Sequence, residues 1–228
     1  MVSTRQPLKT MAKFIEIPQE YLAEIADDSD RIPRLYYASN YVLRRMFWRR
    51  LYSLTSMMNR TLDARESCLD FGGGAGVFLP TLSRSFEKVT LVDLEAHQAK
   101  LVKNRYGLDN VEIVQSDAAE LDFTSKPFDA AVAADVLEHF KDLSLPIPRL
   151  HRWLKPGGVL FTSLPTENWV YVLLRKVFGI EKPWDHYHTA YEVEAQLEKN
   201  GFQRIRTSCV PLRFHIAPLF LITAWRRI

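Results

Sequence analysis

The sequence predicts an α/β protein built on a doubly wound, mostly parallel sheet, with helices as a cap at its N-terminal end. Three observations carry this. Short apolar runs alternate with stretches of helical periodicity from Ser67 to Val210. Each of the first runs ends in a polar turn rich in glycine or aspartate. The chain has 228 residues, 47% hydrophobic and 25% charged, which suits one α/β domain and excludes disordered, collagenous and disulfide-stapled classes.

The elements follow in order. Proline at 18 followed by Gln19 and Glu20 marks a short helix start, since proline suits the first turn and an acid favours the positive end of the dipole. From Tyr36 to Met58 apolar residues recur at Leu43, Met46, Phe47, Leu51, Leu54, Met57 and Met58, the spacing of an amphipathic helix. The period then changes. Residues 67–71 read as a buried strand stopped by glycines, and Val77 to Phe86 as a helix. Val89–Val92 is a second strand ended by Asp93, followed by a helix over 95–106 with Gly107 as its C-cap. Val111–Val114 and Phe128–Ala134 are the third and fourth strands. A helix over 145–154 has prolines at its start and stops at Pro156-Gly157-Gly158. Val159–Thr162 is the fifth strand, residues 191–200 a helix, and Phe202–Val210 the sixth strand.

In such a sheet ligands bind beyond the carboxyl ends of the strands. The residues there are Asp70–Gly76, Asp93, Ser116-Asp117, Asp135–His139 and Ser163–Asn168; four of these five groups contain an aspartate. The first reads Asp70-Phe71-Gly72-Gly73-Gly74-Ala75-Gly76. Its glycines allow a sharp turn and close approach of a ligand to the backbone. The dinucleotide fingerprint would need glycine where Val77 stands, and no phosphate-loop Gly-Lys-Ser/Thr follows. A carboxylate at Asp70 repels a pyrophosphate and welcomes a cation, so a ligand carrying an ammonium and a sulfonium fits.

This arrangement resembles the class I S-adenosylmethionine-dependent methyltransferases, of the methyltransferase type 11 or ubiquinone-biosynthesis-like kind, over residues 64–205. The resemblance is carried by the Asp70-x-Gly72-x-Gly74-x-Gly76 loop, Asp93, Asp117 and Lys155-Pro156-Gly157-Gly158. It implies a Rossmann-like seven-stranded sheet of order 3-2-1-4-5-7-6 and S-adenosyl-L-methionine as cofactor. It implies that Gly72, Gly73, Gly74 and Gly76 contact the methionine part, that Asp93, with Leu94 beside it, holds the ribose hydroxyls, and that Asp117 and the Ala118 amide face the adenine. Asp135 completes the expected cofactor-binding set. An aspartate at such a place can equally be a helix cap, and for Asp93 and Asp117 that alternative stays open.

Methyl transfer to an oxygen acceptor needs a base tuned near neutrality, a role that suits histidine. His139 follows the fourth strand, and His186 and His188 lie in Trp184-Asp185-His186-Tyr187-His188, so these three are the catalytic candidates. His97 and His151 are expected on outer helices facing solvent. The Asp135-Val136-Leu137-Glu138-His139 run is similar to ubiquinone-type O-methyltransferases, where acids and a histidine at these positions can hold a divalent metal. Asp135, Glu138 and His139 are then the metal set. The alternative, in which this run is only a strand-end turn, is preferred, as is a protein without metal.

The net charge of +3 hides an uneven distribution: residues 31–60 hold seven arginines and residues 201–228 five, with no acid in either stretch. The middle is therefore acidic, which disfavours a nucleic-acid partner. The division that follows is a helical cap at 1–60, a cofactor-binding core at 61–210 and an apolar-basic segment at 211–228. That last segment either lies at an anionic membrane surface or packs as a final strand. The acceptor is expected to be a small or lipid-like molecule. Two cysteines far apart, Cys68 and Cys209, no signal pattern and no apolar run of 18 residues point to a cytoplasmic protein, peripheral on the membrane in the first of these readings. A donor-binding scaffold without catalysis and an NAD-dependent oxidoreductase are the rivals.

Overall fold

The computed structural model describes residues 12–26, 32–178, 185–211 and 218–228. Seven strands form one sheet: β1 (Ser67–Phe71), β2 (Lys88–Asp93), β3 (Val111–Gln115), β4 (Phe128–Ala134), β5 (Leu154–Pro165), β6 (Phe202–Val210) and β7 (Phe220–Arg227). Their order is β3-β2-β1-β4-β5-β7-β6, as expected. β1 to β5 pair in parallel, while β7 runs antiparallel between β5 and β6. β4 carries alanines at 130, 131, 133 and 134, so the helices on both faces can approach it closely.

Helices α3 (Leu79–Ser85), α4 (His97–Tyr106), α5 (Pro146–Trp153) and α7 (Ala190–Lys199) are the windings. Leu79, Leu82, Ala99 and Val102 fill one face of the sheet, and Ile147, Leu150, Trp153, Val193 and Leu197 fill the other. Gly107 closes α4 in the left-handed conformation, as its sequence position requires. A capping box between Thr189 and Glu192 starts α7.

The cap consists of α1 (Gln19–Ile25) and α2 (Tyr41–Thr61). α2 begins later than Tyr36 because a short 3-10 turn occupies Arg34–Tyr36, and the Asn40 side chain then accepts from the amides of Val42 and Leu43. Phe47, Trp48, Leu51, Leu54, Met57 and Met58 form its buried stripe. That stripe packs into the same core as Val210, Leu219, Phe220 and Ile222, so the cap is fastened to the sheet.

Two expectations are corrected, a helix appears where the sequence was read only as an insertion, and the choice left open for the C-terminal segment falls to the strand. Pro156-Gly157-Gly158 does not end a segment but lies inside β5, which runs from Leu154 with a register shift against β4. The stretch 165–190 contains a helix, α6 (Trp169–Phe178), with Asn168 Oδ1 accepting from the Tyr171 amide. His151 is not simply solvent-facing: Nε2 lies 3.2 Å from the Ile228 carbonyl and its ring meets the Phe202 ring. His97 is exposed, as expected. Most of the apolar-basic segment at 211–228 is β7, whose Leu221, Ile222, Ala224 and Trp225 are buried. Burial of that strand on both sides removes the apolar residues that would have met a membrane. Residues 1–11, Trp184 and residues 212–217 lie outside the described residues, and with them part of the cap segment, of the 165–190 stretch and of the C-terminal segment.

Candidate active site

The carboxyl ends of β1 to β4 meet along one edge, and the predicted loop follows β1 there. Gly72, Gly74 and Gly76 all have positive φ, which an L side chain rarely adopts. At Gly72 a Cβ would also collide with Val136, and at Gly73 it would come within 2.6 Å of Asp70 Oδ2. The loop thus lies against Asp70 and the β4 turn so tightly that side chains are excluded.

Asp70 is 3% exposed, and its Oδ2 meets no hydrogen-bond partner among the described residues. Burial, and secondarily the neighbouring Asp93 charge, pushes its carboxyl up to about 7. A buried carboxylate oxygen without a partner is costly, and a cation laid over the loop relieves that cost. Asp93 ends β2. Its Oδ2 accepts from the Gly74 amide at 2.8 Å and its Oδ1 from the Glu95 amide at 3.1 Å. Each carboxylate oxygen has a further lone pair, so the carboxylate can still accept from a diol. Leu94 follows, 59% exposed. Asp117 Oδ1 accepts from the Ala119 amide at 2.7 Å, the cap alternative, while Ala118 is buried and its carbonyl accepts from Arg149.

The turn after β4 gathers several ionisable groups. Asp135 has a φ of 53°, and its amide donates to the Ser163 carbonyl. Its carboxylate pairs with Arg50 of α2 and accepts from Ser163 Oγ. Arg50 is 1% exposed. Its guanidinium lies 3.6 Å from the Phe47 ring centre and 4.7 Å from that of Phe220, and it donates to the Tyr36 hydroxyl and the Phe47 carbonyl. The arginine clusters were read as surfaces, and Arg50 was missed. The signal was present, because Arg50 stands three residues after Phe47 and four before Leu54, on the apolar stripe.

Asp135 faces Arg50 rather than the Glu138-His139 pair. The three groups that converge are Glu138, His139 and His186, with one donor atom from each within 4.8 Å of the others. Glu138 is fully buried, and neither of its oxygens meets a hydrogen-bond partner among the described residues. Burial pushes its carboxyl up to about 8, with Arg50 opposing and Glu167 and Asp185 adding.

His139 Nδ1 lies 2.9 Å from Asp185 Oδ2, close enough for an ion pair though off the line of a hydrogen bond. Burial lowers its pKa against the pull of that acid. The His139 and His186 rings stand edge to face with centres 4.8 Å apart. His186 Nδ1 is 3.2 Å from Glu167 Oε1, and Arg175 of α6 grips both oxygens of Glu167 at 3.2 and 2.6 Å. The Glu167 and His186 side chains are 8% and 9% exposed. Tyr171 of α6 stands near, its hydroxyl pushed up to about 12 by burial and by Glu167. His188 is apart from this group; its Nε2 lies 3.4 Å from the Lys141 carbonyl. Glu167, Arg175, Tyr171 and Asp185 were not singled out from the sequence, because a loop's partners in space leave no periodic trace.

Comparison with known proteins accords with this geometry. A family profile described as a methyltransferase domain matches residues 42–212. Rice 2-methyl-6-phytyl-1,4-hydroquinone methyltransferase 1 is 33% identical over 140 residues, 60% of this chain and 41% of its own length. The mitochondrial ubiquinone biosynthesis O-methyltransferase of rat is 28% identical over 148 residues, 58% of this chain and 43% of its own. The matches thus span about two fifths of these relatives' length. The N-methyltransferase NodS from Bradyrhizobium japonicum WM9, in complex with S-adenosyl-L-homocysteine, shares the fold with a TM-score of 0.66 at 20% identity, covering 92% of this chain and 97% of that one. Magnesium protoporphyrin IX methyltransferase from Synechocystis PCC 6803 gives 0.66 at 21%, covering 92% and 98%. The profile covers most of the chain, the sheet order is the expected one, and the glycine loop lies against Asp70, whose buried Oδ2 has no partner among the described residues. The chain belongs to the methyltransferase-domain family, as a class I S-adenosylmethionine-dependent methyltransferase.

Proposed function

We propose that this protein transfers the methyl group to a hydroxyl of a small aromatic or lipid-like acceptor, with His186 as the base. The observation that carries the reading is the His186–Glu167–Arg175 chain beside the β4 turn. A carboxylate on Nδ1 fixes the imidazole tautomer and leaves Nε2 to take a proton. Arg175 holds that carboxylate in place. The cofactor supplies a methyl on a sulfonium, a leaving group that departs neutral. What the chain adds is alignment and a place for the acceptor's proton.

In this reading Asp70 and the glycine loop take the amino-acid end of the donor, Asp93 the ribose, and Asp117 with Ala118 the adenine edge. The acceptor enters between α2 and the 165–190 stretch. The relatives named for hydroquinone and ubiquinone methylation support an acceptor of that size and polarity.

An apolar acceptor is best reached at an anionic membrane surface, and two helices beside the site suit that contact. Tyr41 and Val42 of α2 and Trp169 and Leu173 of α6 are exposed, with Arg45 and Arg49 exposed on α2. Both helices pack on Phe220. No helix among the described residues is long and apolar enough to cross a membrane, so any contact of these helices is with the interface.

The test is a labelled-methyl transfer assay with a panel of hydroquinones, catechols and amines, each with a short and a long apolar tail. Transfer to hydroxyl-bearing rings and not to amines supports the reading. Methylation of amines alone overturns the assignment of oxygen, and binding of S-adenosylmethionine with no transfer to any membrane-extract fraction favours the scaffold alternative.

A further inference from the structure

We propose that Arg149 of α5 is a positioning residue that makes the donor site selective for adenine, by holding the carbonyl of Ala118. The proposal rests on the placement of Asp117 and Ala118 at the adenine edge given above, and names the residue that keeps them there.

The segment after β3 forms a 3-10 turn over Ala118–Glu120. So short a turn has weak hydrogen bonds of its own and depends on what fastens it. Here its peptide groups are fixed one by one. The Asp117 carbonyl accepts from the Glu120 amide at 3.0 Å. In a planar trans peptide the N–H stands opposite the C=O, so the Ala118 amide points away from the turn. The next peptide is held at both ends. The Ala119 amide donates to Asp117 Oδ1 at 2.7 Å, and the Ala118 carbonyl accepts from Arg149 Nη1. What these bonds leave for a ligand is Oδ2 of Asp117, an acceptor, and the Ala118 N–H, a donor. That pair matches the edge of adenine, where an amino group stands beside a bare ring nitrogen. It opposes the edge of hypoxanthine, where a carbonyl stands beside a ring N–H.

Of these bonds, the one from Arg149 comes from outside the turn. Arg149 and Trp153 are four residues apart on α5 and so share one of its faces. The Trp153 ring meets that of Phe123 edge to face, with centres 5.2 Å apart. α5 therefore grips the 118–123 segment at both ends, by a charged donor at one and by apolar contact at the other. Trp153 is 1% exposed and belongs to the core, so the segment stays on the sheet when the polar grip is lost. Arg149 is half-buried, and the Ala118 carbonyl is its hydrogen-bond partner among the described residues. A bond from a charged donor is stronger than a neutral one, which suits it to fixing a peptide plane.

The test is calorimetric titration of the full chain with S-adenosylhomocysteine and with S-inosylhomocysteine, its deaminated analogue, and thermal unfolding of each variant alongside. The parent should prefer the adenosyl ligand. Arg149→Met should weaken S-adenosylhomocysteine binding about five- to tenfold, the worth of roughly one such hydrogen bond. It should leave S-inosylhomocysteine binding unchanged, so the preference shrinks. Arg149→Gln, whose amide stops short of the carbonyl, should do the same. Arg149→Lys, a charged donor of similar reach, should restore most of the preference. Equal weakening of both ligands in the Met and Gln variants, or unfolding of both variants, makes Arg149 merely structural and overturns the proposal. An undiminished preference in Arg149→Met, or no recovery in Arg149→Lys, overturns it and leaves the adenine placement standing. A parent that binds the two ligands alike overturns the adenine placement and the proposal together.

Discussion

Two aspartates at the strand ends do different work, and the difference can be measured. Asp93 is exposed enough to reach a diol and already holds the loop through the Gly74 amide. Asp93→Ala should therefore weaken S-adenosylmethionine binding by about 1.5–3 kcal/mol, the range for hydrogen bonds to a charged group. Calorimetric titration reads this directly, and parental affinity would refute the ribose placement. Asp70 acts by charge. Its folded-state pKa is raised from 3.8 to about 7, so in the donor-free chain its ionisation costs stability. That contribution is fullest below pH 4 and is lost as pH rises through 7. Binding a cation reverses the preference. Donor affinity should rise between pH 6 and 8 in the parent and stay flat in Asp70→Asn, as titrations at several pH values would show. His186→Ala should leave donor affinity intact and slow transfer roughly 10²–10⁴-fold, the usual contribution of a general base. Single-turnover rates separate the two effects, and an unchanged rate would remove His186 from the chemistry.

At the scale of elements, α2 is more than a lid. Its Arg50 is buried between Phe47 and Phe220 and pairs with the β4 turn, so the helix, β7 and the cofactor edge are tied through one guanidinium. Breaking a buried ion pair from one side leaves the other charge uncompensated. Arg50→Met should then cost about 3–5 kcal/mol of stability, to be read from urea denaturation. Arg50→Lys should rescue little, because an ammonium cannot lie flat between two rings and also donate to Asp135 and Tyr36. The exposed aromatic and apolar residues of α2 and α6 make a separate prediction. Co-sedimentation with anionic liposomes at low salt should drop in a Trp169→Ser, Leu173→Ser double variant and weaken as salt screens the arginines. Deleting residues 218–228 instead should unfold the chain, since β7 is the central partner of β5 and β6.

Across the whole molecule, the alternation of strand and helix, the loop after β1 and the aspartates at the strand ends were legible from the chain alone. Parallel strands buried on both faces leave continuous apolar runs, and their ends leave polar punctuation. Those signals are local, and they placed β1 to β6 and the glycine loop at the strand ends. Three decisions were not local. The C-terminal segment is apolar and then basic, a pattern that serves a membrane contact and an inner strand equally well. Only the vacant place between β5 and β6 made it β7. Arg50 carries a charge that favours water, and only the enclosed Asp135 and two flanking rings made its burial tolerable. His186 and Glu138 lie 48 residues apart, and no periodicity links them. The chain's own order thus determined the fold and the glycine loop at its strand ends, because backbone hydrogen bonding and apolar burial repeat at short range. The assembly of the ionisable cluster was decided by tertiary structure, because side chains from α2, the β4 turn, α6 and the 185–188 segment meet only after the sheet has formed.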